Sequence, residues 1–215
     1  ERASGEYIVI LDDDSYPDAR AIAAMVSRFE ADPALGVVAF DVRNAATRAA
    51  ERRAPAADAP ASYQMSFNGA GVGIRTDLFR RIGWYPAEFF LYWNEQDTAF
   101  RVLAAGYKIE THPDIVAWHK SSPRNRASER APFYYTRNAF WLVWKHYPLD
   151  MAVLTTLELV YRCFYHALEQ RAPVYLRALW AAFRDAAALH GLRRPVPRAL
   201  VRRARVAFEL AFSQY

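Results

Sequence analysis

A short apolar run rich in β-branched residues, Tyr7 to Leu11, leads straight into Asp12, Asp13 and Asp14. That junction constrains the fold more than any other stretch. An uninterrupted apolar run of this kind reads as a buried strand of a parallel sheet. Three carboxylates at its end repel one another, so folding needs something that offsets them. In open α/β sheets ligands bind outside the carboxyl ends of the strands, where these aspartates stand. In an extended stretch Asp12 and Asp14 point to one side and Asp13 to the other. Hard cations such as Mg2+ and Mn2+ take such oxygen ligands and are often completed by substrate phosphates. The alternative is that Asp13 or Asp14 caps the following turn.

The rest of the chain alternates strand and helix, then turns helical. Pro17 and Asp18 are expected to open a helix whose Ile22, Met25, Val26 and Phe29 recur at helical spacing. Gly36 leads into a second strand, "VVAFDV". Residues 45 to 61 carry no large apolar side chain and read as a loop. Glycines 69, 71 and 73 suggest close backbone approach. A short strand at Val72 and Ile74 and a short helix from Asp77 to Ile82 follow. "EFFLYW" reads as extended, residues 95 to 105 as a helix closed by Gly106, and "YKIE" and "DIVAWH" as two short strands. Pro132 opens a helix through about Tyr147, and two or three more helices fill the remainder. The expected class is α/β with a mixed sheet, followed by an all-helical region from residue 148.

Two further constellations carry chemistry. In "NEQD", residues 94 to 97, Asn94 suits a helix N-cap and Asp97 completes a capping-box-like pair. Glu95 lies off that pair, and a carboxylate at a helix start facing a cleft can act as a general base. His119 ends "DIVAWH"; beside a carboxylate cluster it becomes a metal ligand, and otherwise it is an ordinary surface or core histidine. Lys120, Arg124, Arg126 and Arg130 follow, able either to clamp a diphosphate or to solvate a loop. Arg137, in "YYTRN", either adds positive charge near a diphosphate or makes an ion pair on a helix surface.

"GEYIVILDDDSYPD", "FNGAGVGIRTDLFRRIGWYP", "FFLYWNEQDTAFRVLAAGYKI" and "VAWHKSS" stand in that order over residues 1 to 147. Together they resemble the family 2 glycosyltransferases of the GT-A fold. "FYYTRNAFWLVWKHYP" is similar to the helix after the catalytic domain in bacterial members that build surface polysaccharides, including rhamnosyltransferase-like proteins. The resemblance implies an inverting hexosyl or deoxyhexosyl transferase using a nucleotide-diphosphate sugar and Mg2+ or Mn2+. Its acceptor would be a hydroxyl on a glycan or polyprenyl-linked molecule. On this pattern Asp12 lies near the ribose and Asp14 holds the cation, with Asp13 beside them in the donor motif. His119 joins the metal or diphosphate site. Asn68, Gly69, Ala70 and Gly71 line the acceptor side. Glu95 or Asp97 is the base, ahead of a helix carrying Arg101. The family begins with a strand–helix–strand–helix unit that binds the nucleotide base. That unit would precede Glu1, so the expectation is an N-terminally truncated fragment that binds a sugar nucleotide poorly.

The net charge of +5 is uneven: residues 151 to 215 hold ten arginines and four carboxylates. With Tyr161, Phe164, Tyr165 and Leu168, and again Leu176, Leu179, Trp180 and Phe183, at helical spacing, this suits helices at an anionic membrane surface. "LRRPVPRALVRRARVAF" reads as a basic amphipathic helix. No nucleic-acid-binding motif accompanies the charge, so no nucleic-acid partner is expected. No run is long and apolar enough for a spanning helix. The single cysteine, Cys163, excludes a disulfide within the chain and fits a reducing compartment. The expected location is cytoplasmic, peripheral at the inner face of a bacterial plasma membrane. Two other readings stand beside this one. "ILDDDS" also resembles the first motif of haloacid-dehalogenase-type phosphatases, with Asp12 as nucleophile and Asp14 as acid/base. A catalytically inactive transferase remnant serving as a membrane-docked scaffold is the other.

Overall fold

The computed structural model describes residues 3–47, 60–120 and 129–210. Most of the expected loop at 45 to 61, and both Arg124 and Arg126, lie outside the described residues. The chain forms two compact units. The first comprises Glu1–Trp84 and Thr98–Ser122, the second Tyr85–Asp97 and Pro123–Tyr215. The expected break at residue 147 therefore falls inside the second unit.

The first unit is a mixed six-stranded sheet with helices. Its strands are β1 (Tyr7–Ile10), β2 (Ser15–Pro17), β3 (Leu35–Asn44), β4 (Ser62–Tyr63), β5 (Val72–Arg75) and β6 (Lys108–His119). The order is β1-β5-β3-β6-β2, with β4 also on β6. Among the described residues only β3 and β6 run parallel, and every other pair is antiparallel. The first strand thus departs from expectation. β1 is antiparallel to β5, sits at the edge of the described sheet, and its four residues are half-buried. Apolar content predicts burial, but direction is set by the partner, which a strand's own residues do not specify.

Three other expectations change. Pro17 does not open a helix; it ends β2 opposite Ala117, on an edge strand where its missing N–H costs nothing. Helix α1 starts later, at Ala21, and runs to Ala31. "YKIE" and "DIVAWH" are one strand, interrupted where the partner register jumps from His112 opposite Phe40 to Val116 opposite Asp41. Those unpaired residues form a bulge, which the sequence presents as a break.

The core of this unit lies between α1 and the sheet: Met25 and Phe29 meet Leu35, Val38, Phe40, Ile115 and Ala117. Helix α2 (Thr76–Ile82) follows β5 directly and ends on Gly83 in the left-handed region. Arg75 fastens the end of α1, donating to the carbonyls of Phe29, Asp32 and Leu35 while stacking on Tyr7 and Phe29. A cation there also complements the helix dipole.

The second unit is helical. It contains α4 (Arg130–His146), α5 (Leu149–Glu169), α6 (Val174–Arg184), a 3-10 turn (Ala186–Leu189) and α7 (Arg198–Ala204). Helix α3 (Asn94–Ala104) is divided, its first turn counted with this unit and the remainder with the other. No described helix is long and apolar enough to cross a membrane. The stretch expected to be a long basic amphipathic helix is helical only over α7, and Val196, Val201, Phe208 and Leu210 are buried. "EFFLYW" is not a strand. Phe90, Tyr92 and Trp93 adopt φ of 65°, 63° and 66°, a left-handed conformation strained for bulky residues. Aromatic residues favour strands, which made this segment look extended.

Candidate functional site

Residues 12 to 15 form a turn rather than the expected extended stretch: the Ser15 N–H donates to the Asp12 carbonyl at 3.0 Å. The turn, not strand alternation, sets the aspartates. His119 ends β6 and pairs with Ser15 on one side and Asn44 on the other, which fixes it beside the turn. The Lys120 N–H donates to the Asp14 carbonyl at 3.0 Å and closes the arrangement. The result brings together Asp12, Asp14 and His119, with one ligand atom from each inside 4.8 Å of the others. His119 Nε2 lies 3.0 Å from Asp14 Oδ1 and 3.9 Å from Asp12 Oδ2.

These distances fit one divalent cation. Ligands about 2.1 Å from an octahedral ion stand about 3.0 Å apart when adjacent and about 4.2 Å when opposite. Two carboxylates and one imidazole suit Mn2+ or Mg2+, the imidazole favouring the softer Mn2+. All three side chains are partly exposed, which leaves coordination positions for substrate oxygens. Partial burial raises the Asp12 pKa; His119 lowers it in part, while Asp14 and Asp13 raise it further. A bound cation would reverse that rise. Asp13 is exposed in the turn and is not part of the converging set.

On the "FNGAG" segment, Asn68 is exposed and its side-chain oxygen accepts from the Ala70 N–H at 2.9 Å. Ala70 and Gly71 are buried, so Asn68 and the half-buried Gly69 are what this segment offers at the surface. A Cβ on Gly71 would sit 2.6 Å from the Ala117 Cβ and 3.0 Å from the Phe40 Cβ. One on Gly73 would sit 2.1 Å from Met25 Sδ. The close approach read from these glycines is to the protein's own core.

In the second unit, Asp97 does not form a capping box. Asn94 is already inside the helix and its buried side-chain oxygen makes no hydrogen bond. Asp97 is fully buried, with Lys145 Nζ and His146 Nε2 each 2.7 Å from its Oδ1. Lys145 also reaches Glu88 at 2.6 Å. A carboxylate so enclosed anchors the helix start. Glu95, two residues earlier, is half-buried. Arg101, in the first unit, donates to the Ile82 carbonyl at 2.6 Å and to Thr98 at 3.0 Å.

Arg137 is turned toward the backbone and aromatic rings of its own unit rather than into an ion pair on a helix surface. It donates to the carbonyls of Glu88 and Phe89 and to the Asn138 side chain, lies over Trp141 and Tyr134, and burial lowers its pKa. Asn138 adds hydrogen bonds to the carbonyls of Phe89, Leu91 and Tyr92. Trp93 donates to the Tyr135 carbonyl at 2.9 Å. Together they hold the strained 88–93 segment that precedes Glu95. Sequence reasoning missed Lys145, His146 and Asn138. Their signal was polar residues at otherwise buried positions of α4, which require partners.

No protein family and no curated protein matches the sequence. Solved structures do match. S. aureus TarS, residues 1–349, in complex with UDP-GlcNAc aligns over 92% of this chain and 60% of that one, with TM-score 0.52 and 15% identity. The mannosyltransferase PcManGT from Pyrobaculum calidifontis, in complex with GDP-Man and Mn2+, aligns over 88% and 50%, with TM-score 0.46 and 22% identity. GalNAc-T7 with UDP, GalNAc and Mn2+ aligns over 63% and 34%, with TM-score 0.43 and 12% identity. The fold is a partial GT-A fold. The chain spans between about a third and three fifths of the length of these glycosyltransferases.

Proposed function

We propose that this chain belongs to an inverting, metal-dependent family 2 glycosyltransferase of the rhamnosyltransferase-like, surface-polysaccharide type. It would move a hexosyl or deoxyhexosyl group from a nucleotide-diphosphate sugar to a hydroxyl of a glycan or lipid-linked acceptor. The observation that carries this reading is the convergence of Asp12, Asp14 and His119 on a GT-A fold.

Asp12, Asp14 and His119 would hold the divalent cation, which when bound offsets the charge of the departing diphosphate. Glu95 takes the proton of the acceptor hydroxyl. That oxygen attacks the anomeric carbon as its bond to the diphosphate oxygen breaks, inverting the configuration. Asp97, held by Lys145 and His146, positions the turn that carries Glu95. Asn68 and Gly69 face the acceptor. The acceptor's lipid anchor places the protein at an anionic membrane surface, at the inner face of the plasma membrane.

The test is Mn2+ binding to this chain, followed by titration calorimetry or by the loss of the free-ion paramagnetic signal. Asp14→Ala and His119→Ala should each weaken binding about tenfold or more. Unchanged affinity in both variants would remove the metal role and with it this function.

A further inference from the structure

The turn that leads into Glu95 presents two aromatic rings to solvent at a conformational cost. Phe90, Tyr92 and Trp93 all sit in the left-handed region, which strains bulky side chains. Trp93 offsets its strain by packing: it is half-buried, with ring centroids of Tyr135 at 4.6 Å and Phe208 at 5.2 Å. Phe90 and Tyr92 gain no such burial; they are 55% and 40% exposed. Strain of this kind persists only where neighbours impose it, and it gathers at ligand clamps. The neighbours here are two adjacent residues of α4. Arg137 donates to the carbonyls of Glu88 and Phe89, and the fully buried Asn138 donates to those of Phe89, Leu91 and Tyr92.

The two rings are also braced from the side. Tyr134 on α4 meets Phe90 at 5.3 Å, tilted by 57°, and Tyr135 meets Tyr92 at 6.0 Å, edge-on at 67°. Tilted and edge-on contacts fix a ring without stacking over its faces. Arg130 lies 5.3 Å from the Phe90 centroid, and Arg137 lies 4.8 Å from that of Tyr134. The aliphatic residue of the turn, Leu91, is half-buried, while Phe90, Tyr92 and Arg130 are exposed. A lipid chain or a protein core is met by aliphatic side chains. A sugar is met differently. Its C–H face lies on a flat aromatic ring, and its hydroxyls bond to polar groups at the ring's edge, here the Tyr92 hydroxyl and the Arg130 guanidinium.

We infer that Phe90 and Tyr92 form a stacking subsite for a pyranose ring of the acceptor glycan. Chain connectivity fixes its place. Tyr92 precedes Glu95 by three residues in the same unit, at most about 11 Å of extended backbone. An acceptor whose reacting hydroxyl stands at Glu95 therefore has its neighbouring sugar within reach of the two rings. The inference rests on the proposed function for the identity of the acceptor, but stacking needs neither donor nor metal.

The experiment is saturation-transfer NMR on the full chain with cellotriose, irradiating the aromatic protons. The hydroxyls of its β-linked rings are equatorial, so both faces of each ring present C–H bonds. Transfer should be strongest to those axial ring protons. Phe90→Ala and Tyr92→Ala should each weaken binding roughly threefold to tenfold, with unchanged circular dichroism. Phe90→Tyr should keep the affinity. Phe90→Leu retains apolar volume but no flat face, and should weaken binding as Phe90→Ala does. Phe90→Ala should take up Mn2+ like the parent, which keeps this subsite separable from the metal site. No transfer to cellotriose, transfer unchanged in both alanine variants, or full affinity in Phe90→Leu would overturn the assignment. Transfer that depends on both rings in a chain that takes no Mn2+ would remove the proposed reaction and keep the saccharide subsite.

Discussion

A carboxylate acts as a base only where a substrate proton can reach it, and on this ground Glu95 and Asp97 part company. Asp97 is fully buried between Lys145 and His146. Removing one member of a buried ion pair strands the other charge and costs about 3–5 kcal/mol. Asp97→Asn should therefore lower the melting temperature by roughly 10 °C. Glu95→Gln keeps the side chain's shape and removes its charge and its basicity. Under the proposed function it should lower the melting temperature by less than Asp97→Asn does and reduce sugar transfer, by the enzyme to which this chain is proposed to belong, about a hundredfold or more. Thermal melts and turnover on both variants decide the matter. A stable Asp97→Asn with greatly reduced turnover would hand the base role to Asp97.

At the level of elements, two devices set the local geometry. The first is the spacing of β3, β5 and β6. Gly71 sits where any Cβ would be forced to 2.6 Å from Ala117, so Gly71→Ala should cost about 1–3 kcal/mol by overpacking. Urea denaturation measures this, and an unshifted midpoint would refute it. The second is the end of α4, whose last carbonyls would otherwise lack partners. The 193–196 segment supplies them. The Arg193 side chain donates to Trp144 and Tyr147, and the Arg194 and Val196 N–H groups donate to Lys145 and His146. Arg193→Ala should cost about 1–3 kcal/mol and speed hydrogen exchange in the last turn of α4. Unchanged exchange there would show that the segment is not the cap.

Much at this scale was legible. The alternation of strand and helix, the stop at Gly106, the run of α4 and the helical C-terminal part all follow from period and punctuation. The direction of β1, the bulge in β6 and the left-handed turns at Phe90, Tyr92 and Trp93 do not, because each depends on partners distant in sequence. The acidic cluster was visible as a motif, but its geometry was not. The strand pattern implied alternation, whereas a turn and the His119 register bring the ligands together.

For the whole molecule, the helical unit carries a pH liability that the charge count hides. Burial pushes Tyr135, Tyr147 and Cys163 each up to about 12, and all three lie in this unit. Their ordinary values are 10.0 for tyrosine and 9.0 for cysteine. The unfolded chain therefore loses these protons first as pH rises. With fewer protons bound in the unfolded state, stability falls with pH. The loss begins near pH 9 with the thiol, steepens near 10 with the tyrosines and is complete near 12. Urea midpoints measured across that window should decline, and Cys163→Ala should delay the onset by removing the earliest group. Below pH 9 the same burial keeps the thiol protonated, so Cys163 should resist thiol reagents until the unit unfolds. Rapid labelling in native buffer, or a midpoint flat from pH 9 to 12, would show that α5 opens far more readily than its packing implies.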